Sequence, residues 1–302
     1  MIAEKIKALR KQAKLSQEGL ADRLHVSRQA VTKWETGGGV PDIENLRAIA
    51  QLFAVSVDEL LGNSTPPAES KTARFESITE YDIDRLKSYD ITIAGAKQTE
   101  LSSYSGEKIR VRLYSEQLPD IQKLLKVKID DVKQRIDIDV RRFGDLTESR
   151  AKEVLGLSIQ FPLHYVKDIE LSGNTEQLVV KGLCADRLEY SGSAGQVVLE
   201  PGVGHVELNC NRDMQIQCRS LSGRLDINQL SASSKLSLPA KTPFIAVVKG
   251  IRNRVFYQLD GQPTADFSLS GEAAQNCENI VELNGIKSEL IISSVSASRG
   301  EA

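Results

Sequence analysis

The chain has 302 residues, 26% of them charged and 40% hydrophobic, with a formal net charge of −2. That length suits about two domains, and the composition is that of an ordinary globular protein with no whole-chain field demanding nucleic acid or membrane. No apolar run approaches the roughly 20 residues of a membrane span. The start, MIAEKIKALRKQAKL, lacks the apolar stretch of a signal peptide, so the cytoplasm is the expected compartment. Cys184, Cys210, Cys218 and Cys277 form no CxxC pair and are expected to be reduced, buried and inert.

The near-neutral total hides an asymmetry. Residues 1–33 hold eight Lys and Arg against three Asp and Glu, whereas residues 34–62 hold one against five. A basic leading half of this kind is a local footprint that can face phosphates.

In chain order, Ile2, Ile6 and Leu9 recur at helical spacing. Ser16 is placed to cap QEGLADRL, whose inward face is Leu20, Ala21 and Leu24, and Ser27 to cap RQAVTKWE. The two helices are separated so closely that the chain must turn sharply, and His25 is a residue that tolerates the left-handed conformation such a turn needs. After the Gly-Gly-Gly run and Pro41, Asp42 is placed to cap IENLRAIAQLF, and SVDE at 56–59 has the form of a capping box for a fifth helix. On the third helix Arg28, Gln29, Thr32 and Lys33 share one side while Val31 and Trp34 lie on the other. That outward stripe carries the groups that match base edges in a major groove. Gln17 heads the preceding helix, where a phosphate can meet its amide and the backbone N–H groups.

Residues 5–61 resemble the helix-turn-helix family of the lambda and Cro phage repressors, also called the xenobiotic response element (XRE) family. The match lies in QEGLADRLHVSRQAVTKWETG followed by PDIENLRAIAQLFAVSVDELL. By that resemblance Gln17 is the phosphate contact, and Arg28, Gln29, Thr32 and Lys33 read bases or flanking phosphates. Ala21 is the small residue at the helix crossing, Val31 and Trp34 form the core face, and Arg10 with Glu35 form an ion pair tying the first helix to the third. His25 stands where relatives often carry Gly, and the triple glycine 37–39 makes the following loop looser than is usual.

Beyond Gly62 the polar, proline-containing NSTPPAESKTARFES reads as a linker, assigned to residues 63–82. Strand patterning follows in ITIAGAK, IRVRLYS, IDIDVRR and LSIQF, interrupted by a short helix at LPDIQKLLK. From residue 169 to 238, apolar-x-apolar pairs recur every 9 to 11 residues, from Ile169/Leu171 through Leu188/Tyr190 and Ile216/Cys218 to Leu236/Leu238. Such spacing means a β-sandwich or a coil of stacked strands, and its regularity favours a solenoid with two strands per turn. ENIVELNGIKSELIIS is expected to supply two closing strands. SGNTEQLVVKG, SGSAGQVVL and LSGRLDI, entered through FPLHYVKDIELSG, resemble units of the "putative adhesin" β-strand-repeat family over roughly residues 90–293, a resemblance that implies a scaffold and no activity.

The expected fold is therefore a multi-domain α and β chain: a five-helix helix-turn-helix domain (1–62), a linker (63–82) and an all-β repeat domain (83–302). His164 and His205 lie at no metal-ligand spacing, GVGH at 202–205 and GSAG at 192–195 read as turns, and no nucleophile–base pair is found, so neither catalysis, metal nor cofactor is expected. The expected function is a DNA-binding transcriptional regulator, a repressor, that grips double-stranded DNA as a homodimer on an inverted repeat. Ser27 would join Gln17 in fixing the helix to phosphates. The β domain would serve as dimerisation platform, as sensor of a small-molecule or protein effector, or as spacer, with no membrane role. The rival reading is an antitoxin-like or scaffold module whose helix-turn-helix domain binds a protein partner.

Overall fold

A computed structural model of the protein describes residues 2–12, 15–53 and 75–295. The chain divides into two compact units, Met1–Lys71 and Thr72–Ala302. Each is described by itself.

Among its described residues the first unit has four helices: α1 (Ile2–Gln12), α2 (Gln17–Leu24), α3 (Arg28–Thr36) and α4 (Ile43–Phe53). The fifth expected helix, at 56–59, lies outside the described residues. Caps set the boundaries. The Ser16 hydroxyl accepts from the Gly19 N–H at 2.9 Å, Ser27 from Ala30 at 3.2 Å, and Asp42 from Asn45 at 2.8 Å, each satisfying an otherwise orphaned donor of the first turn. α2 ends on His25 in the left-handed region (φ 54°), and the next N–H, of Val26, returns to the Ala21 carbonyl at 3.0 Å. That closure turns the chain within two residues. Gly37 (φ 76°) ends α3 in the same conformation. Ile6, Leu20, Ala21, Val31, Trp34 and Ile49 meet in one buried cluster.

The second unit is built from two sheets, of eleven and nine strands. Its repeat begins with β8 (Val166–Ser172), β9 (Thr175–Lys181), β10 (Ala185–Ser191) and β11 (Gln196–Leu199) and continues through β12 (Val203–Asn209), β13 (Gln215–Cys218), β14 (Arg224–Leu230) and β15 (Ser233–Pro239). Consecutive strands fall in opposite sheets, and each from β8 to β13 pairs in parallel with the strand two places on: Leu188 lies beside Val206, and Val197 beside Ile216. Two strands and two corners thus make one coil, and the coils stack. Every member of the apolar-x-apolar pairs points between the sheets and is buried.

The ends of the stack depart from chain order. β6 (Arg135–Arg142) and β7 (Gly156–Pro162), joined through helix α6 (Glu148–Val154), lie outside β2 (Lys87–Thr92) and β3 (Ala96–Tyr104), which precede them in sequence. At the other end β16 (Ile245–Val248) and β17 (Arg254–Leu259) are the last parallel strands, while β19 (Ile280–Ile286) and β20 (Glu289–Val295) insert between them and β14/β15. Antiparallel strands finish the edges: β1 (Phe75–Asp82) on β4 (Lys108–Ser115), β5 (Leu125–Val132) on β6, and β18 (Gln262–Thr264) on β17.

Five sequence expectations are corrected. Residues 75–82, assigned to the linker, form β1; the exposed Ile78 falls on its outward face, which breaks the apolar alternation. ITIAGAK is the end of β2 and the start of β3, split by Gly95 at φ 92°. The helix expected at LPDIQKLLK shrinks to α5 (Ile121–Leu124), because Leu125 already pairs with Arg142 in β5. The strands β19 and β20 close no end, since β16 and β17 lie beyond them. Cys184 is exposed and Cys277 half-buried, against the expectation of burial.

Coil corners stack as tightly as the strands do. A Cβ added at Gly192 would lie 1.9 Å from the Gly173 carbonyl oxygen of the coil below, which is backbone that cannot swing aside. Gly192→Ala is expected to cost the β unit about 2 kcal/mol or more, read as a lowered melting temperature by far-ultraviolet circular dichroism. The emission of Trp34, the single tryptophan, should show the helical unit unaffected; an unshifted β transition would mean that the corner can relax.

Candidate nucleic-acid interface

The first unit presents α3 through a division of its faces. Val31 and Trp34 are buried with Ala21, at 2% exposure, where α2 and α3 cross. A residue larger than Ala at that crossing would drive the helices apart. On the opposite side Ser27, Arg28, Gln29 and Lys33 are exposed and Thr32 is half-buried. The stripe therefore offers a guanidinium, an amide, a hydroxyl and an ammonium to whatever approaches α3. Ser27 caps the helix with its hydroxyl oxygen, and its own O–H has no partner among the described residues.

What holds α3 is a chain of polar contacts through Glu35. Arg10 of α1 donates from Nε to Oε1 at 2.6 Å and from its terminal nitrogen to Oε2 at 2.9 Å, the bidentate geometry that planar guanidinium and carboxylate favour. The same guanidinium donates to the Leu15 carbonyl at 2.8 Å, fixing the stretch that leads into α2. Gln17 then donates from Nε2 to Glu35 Oε2 at 2.9 Å, and its Oε1 accepts from the Thr32 hydroxyl at 3.3 Å. Three helices are thus joined on one carboxylate.

The Gln17 side chain consequently lies within the unit, bonded to Glu35 and Thr32. The resemblance pointed it at a phosphate; in this structure its amide braces α2 against α3. Sequence spacing could not show this, because Gln17 meets Glu35 only after the turn at His25 has folded α3 back. Likewise no local signal marks the Leu15 carbonyl as a partner of Arg10.

The Glu35 carboxyl is buried, at 1% side-chain exposure against 11% for Arg10. Burial alone would raise its pKa, but the hydrogen bonds from Arg10 and Gln17 and the positive charges of Arg10 and Lys7 outweigh burial and hold it below the ordinary value of 4.5. A carboxyl depressed in the folded state stabilises that state at pH above its unfolded value and loses the contribution as pH falls through the lower folded value.

With this geometry in view, relatives can be compared. A family model described as helix-turn-helix matches residues 6–60. The HTH-type transcriptional activator BcrR of Enterococcus faecalis is 50% identical over 58 residues, 19% of this chain and 28% of that protein. The cryptic phage CTXphi transcriptional repressor RstR of Vibrio cholerae is 30% identical over 93 residues, 30% of this chain and 83% of the relative. The chain belongs to the XRE, lambda-repressor-like helix-turn-helix family. It spans only 28% and 53% of the length of the first two relatives, BcrR and the Bacillus subtilis regulator YqaE. Over the β unit, a putative cell adhesion protein from Clostridium sporogenes aligns with 74% of this chain and 100% of its own at 8% identity and a TM-score of 0.39. Among the described residues no helix is long and apolar enough to cross a membrane.

The clamp yields a prediction. Glu35→Gln removes one charge of a buried pair and is expected to cost the helical unit about 3 kcal/mol at neutral pH, measured by Trp34 emission in urea. In the parent, stability should fall as pH drops below 4.5; in the variant that part of the acid dependence should vanish. An unchanged acid profile would show that the pair contributes nothing.

Proposed function

We propose that this protein is a sequence-specific DNA-binding transcriptional regulator, acting as a repressor, that occupies an inverted-repeat operator as a homodimer. The observation that carries the reading is the exposed Arg28–Gln29–Thr32–Lys33 stripe on a helix whose other face is locked by Val31, Trp34 and the Arg10–Glu35 pair. α3 enters the major groove, where Arg28 or Lys33 matches guanine, Gln29 adenine and the Thr32 methyl thymine. Ser27 and the N-terminal N–H groups of α2, with Gln17 behind them, hold phosphates and set the register.

One such head makes too few base contacts to find its site in a genome. Two heads related by a two-fold read half-sites about 10 base pairs apart, or a whole turn further. The β unit supplies the pairing or carries the surface on which an effector acts. The relatives named as a transcriptional activator and a transcriptional repressor support regulation of transcription, and occupation of an operator accounts for repression without any further activity.

The test is selection of bound sites from random duplex DNA by the full chain, followed by titration at several salt concentrations. An inverted repeat should be enriched, with affinity falling steeply as salt rises because phosphate binding releases counterions. Arg28→Ala and Gln29→Ala should each cost about 1–3 kcal/mol on the selected site and relax preference at one position per half-site. Enrichment of no sequence would overturn DNA reading and favour a helix-turn-helix surface used for a protein partner.

A further inference from the structure

We propose that β16 is the seam through which two copies of this chain pair, edge to edge and antiparallel. The choice of a second copy as occupant rests on the inverted-repeat reading above.

The argument begins with the four sheet edges of the β unit: β1, β18, β16 and β5. An exposed edge offers unpaired N–H and C=O groups, and proteins that avoid edge pairing blunt it with charges, prolines or shortness. β1 carries Glu76, Glu80 and Asp82 on its exposed positions. β5 carries Lys126, Lys128, Asp130 and Asp131. β18 has three residues, the central one Pro263. β16 alone, Ile245-Ala246-Val247-Val248, has no charge and no proline.

Its backbone is also open. The Ile245 and Lys249 N–H groups donate to Asn279 and Leu283 on the β19 side, both at 2.9 Å. Alternate residues face the other way, so Ala246 and Val248 present their N–H and C=O groups to the free edge, with no partner among the described residues. The loop before β19 closes the edge only up to Phe244, whose carbonyl accepts from the Leu269 N–H at 2.8 Å. A two-fold axis beside Val247 pairs Ala246 of each copy with Val248 of the other, and each pair exchanges both N–H···O bonds.

Charge favours the same occupant. The outer face of the nine-stranded sheet carries a row of carboxylates in register, from Asp130 through Glu170 and Glu207 to Glu282. Arg135, Arg187 and Arg224 offset part of that row, yet a strand laid against carboxylates so densely placed would meet like charge if it came from a second copy. At β16 the row stops: Val247 stands in register with Glu282, and that last carboxylate is neutralised by Arg224 at 2.6 Å and Lys249 at 3.0 Å. Around the edge Val248, Ile251 and Ile286 stand 49%, 62% and 43% exposed, apolar surface that self-pairing removes from water.

Sedimentation equilibrium of the full chain without DNA tests the seam. Ala246→Pro removes only an outward N–H and leaves the bonds to β19 in place; Val248→Lys puts a charge on the half-exposed edge position. The parent should be a dimer, and each variant should raise the dimer dissociation constant about tenfold or more while Trp34 emission stays unchanged. In site selection the variants should then recover single half-sites. A monomeric parent, or variants that dimerise as the parent does, would overturn the seam. Loss of the dimer in the variants with no DNA sequence enriched by any chain would leave the seam standing and overturn the DNA reading; an inverted repeat recovered by undiminished dimers of both variants would do the reverse.

Discussion

The carboxylate of Glu35 is almost wholly withdrawn from water, and a charge there is tolerable only when its lone pairs are taken up. Arg10 and Gln17 take them, so α1, α2 and α3 cannot move independently without exposing or orphaning that charge. Everything the helical unit offers on its outer side follows from this lock. The stripe of Arg28, Gln29, Thr32 and Lys33 has a defined direction because Glu35, one turn further along the same helix, has no freedom of its own. Trp34 and Val31 add burial, but burial alone would allow α3 to roll about its axis; directional hydrogen bonds do not.

The β unit solves a different problem. Parallel strands need a crossover to return to the same sheet, and here the crossover is itself a strand, in the facing sheet. Each coil then buries its inward side chains against those of its neighbours, giving one continuous core along the stack. The cost falls at the corners, where successive backbones approach so closely that Gly192 accepts no side chain. It falls also at the ends, where a stack of coils exposes edges. Three edges carry charge or proline, and the fourth is apolar and open. The pairing proposed above would use that fourth edge, and the proposed reading of DNA would use the face of α3 that the lock holds in place.

Much of this was legible in the residue pattern. Ser16, Ser27 and Asp42 marked helix starts because their short side chains accept from the first turn, and those bonds are present. The recurring pairs from Ile169/Leu171 to Leu236/Leu238 marked inward positions because the period of a strand is two. β1 escaped notice because Ile78 points outward, and β16 because four consecutive apolar or small residues show no alternation at all. Gln17 was legible as a helix head and illegible as a brace, since its partner lies eighteen residues away.

By itself the sequence determined periodicity: which segments are helix or strand, which faces are apolar, and which helix carries a stripe suited to base edges. Those properties depend on neighbours within a few residues. Tertiary structure alone decided which strands lie side by side. Backbone hydrogen bonds between strands are blind to residue identity, so nothing local says that β19 inserts between β14 and β16, or that β16 is left at the edge. The same holds for the direction of Gln17 and the burial of Glu35, which exist only once the turn at His25 has brought three helices around one charge.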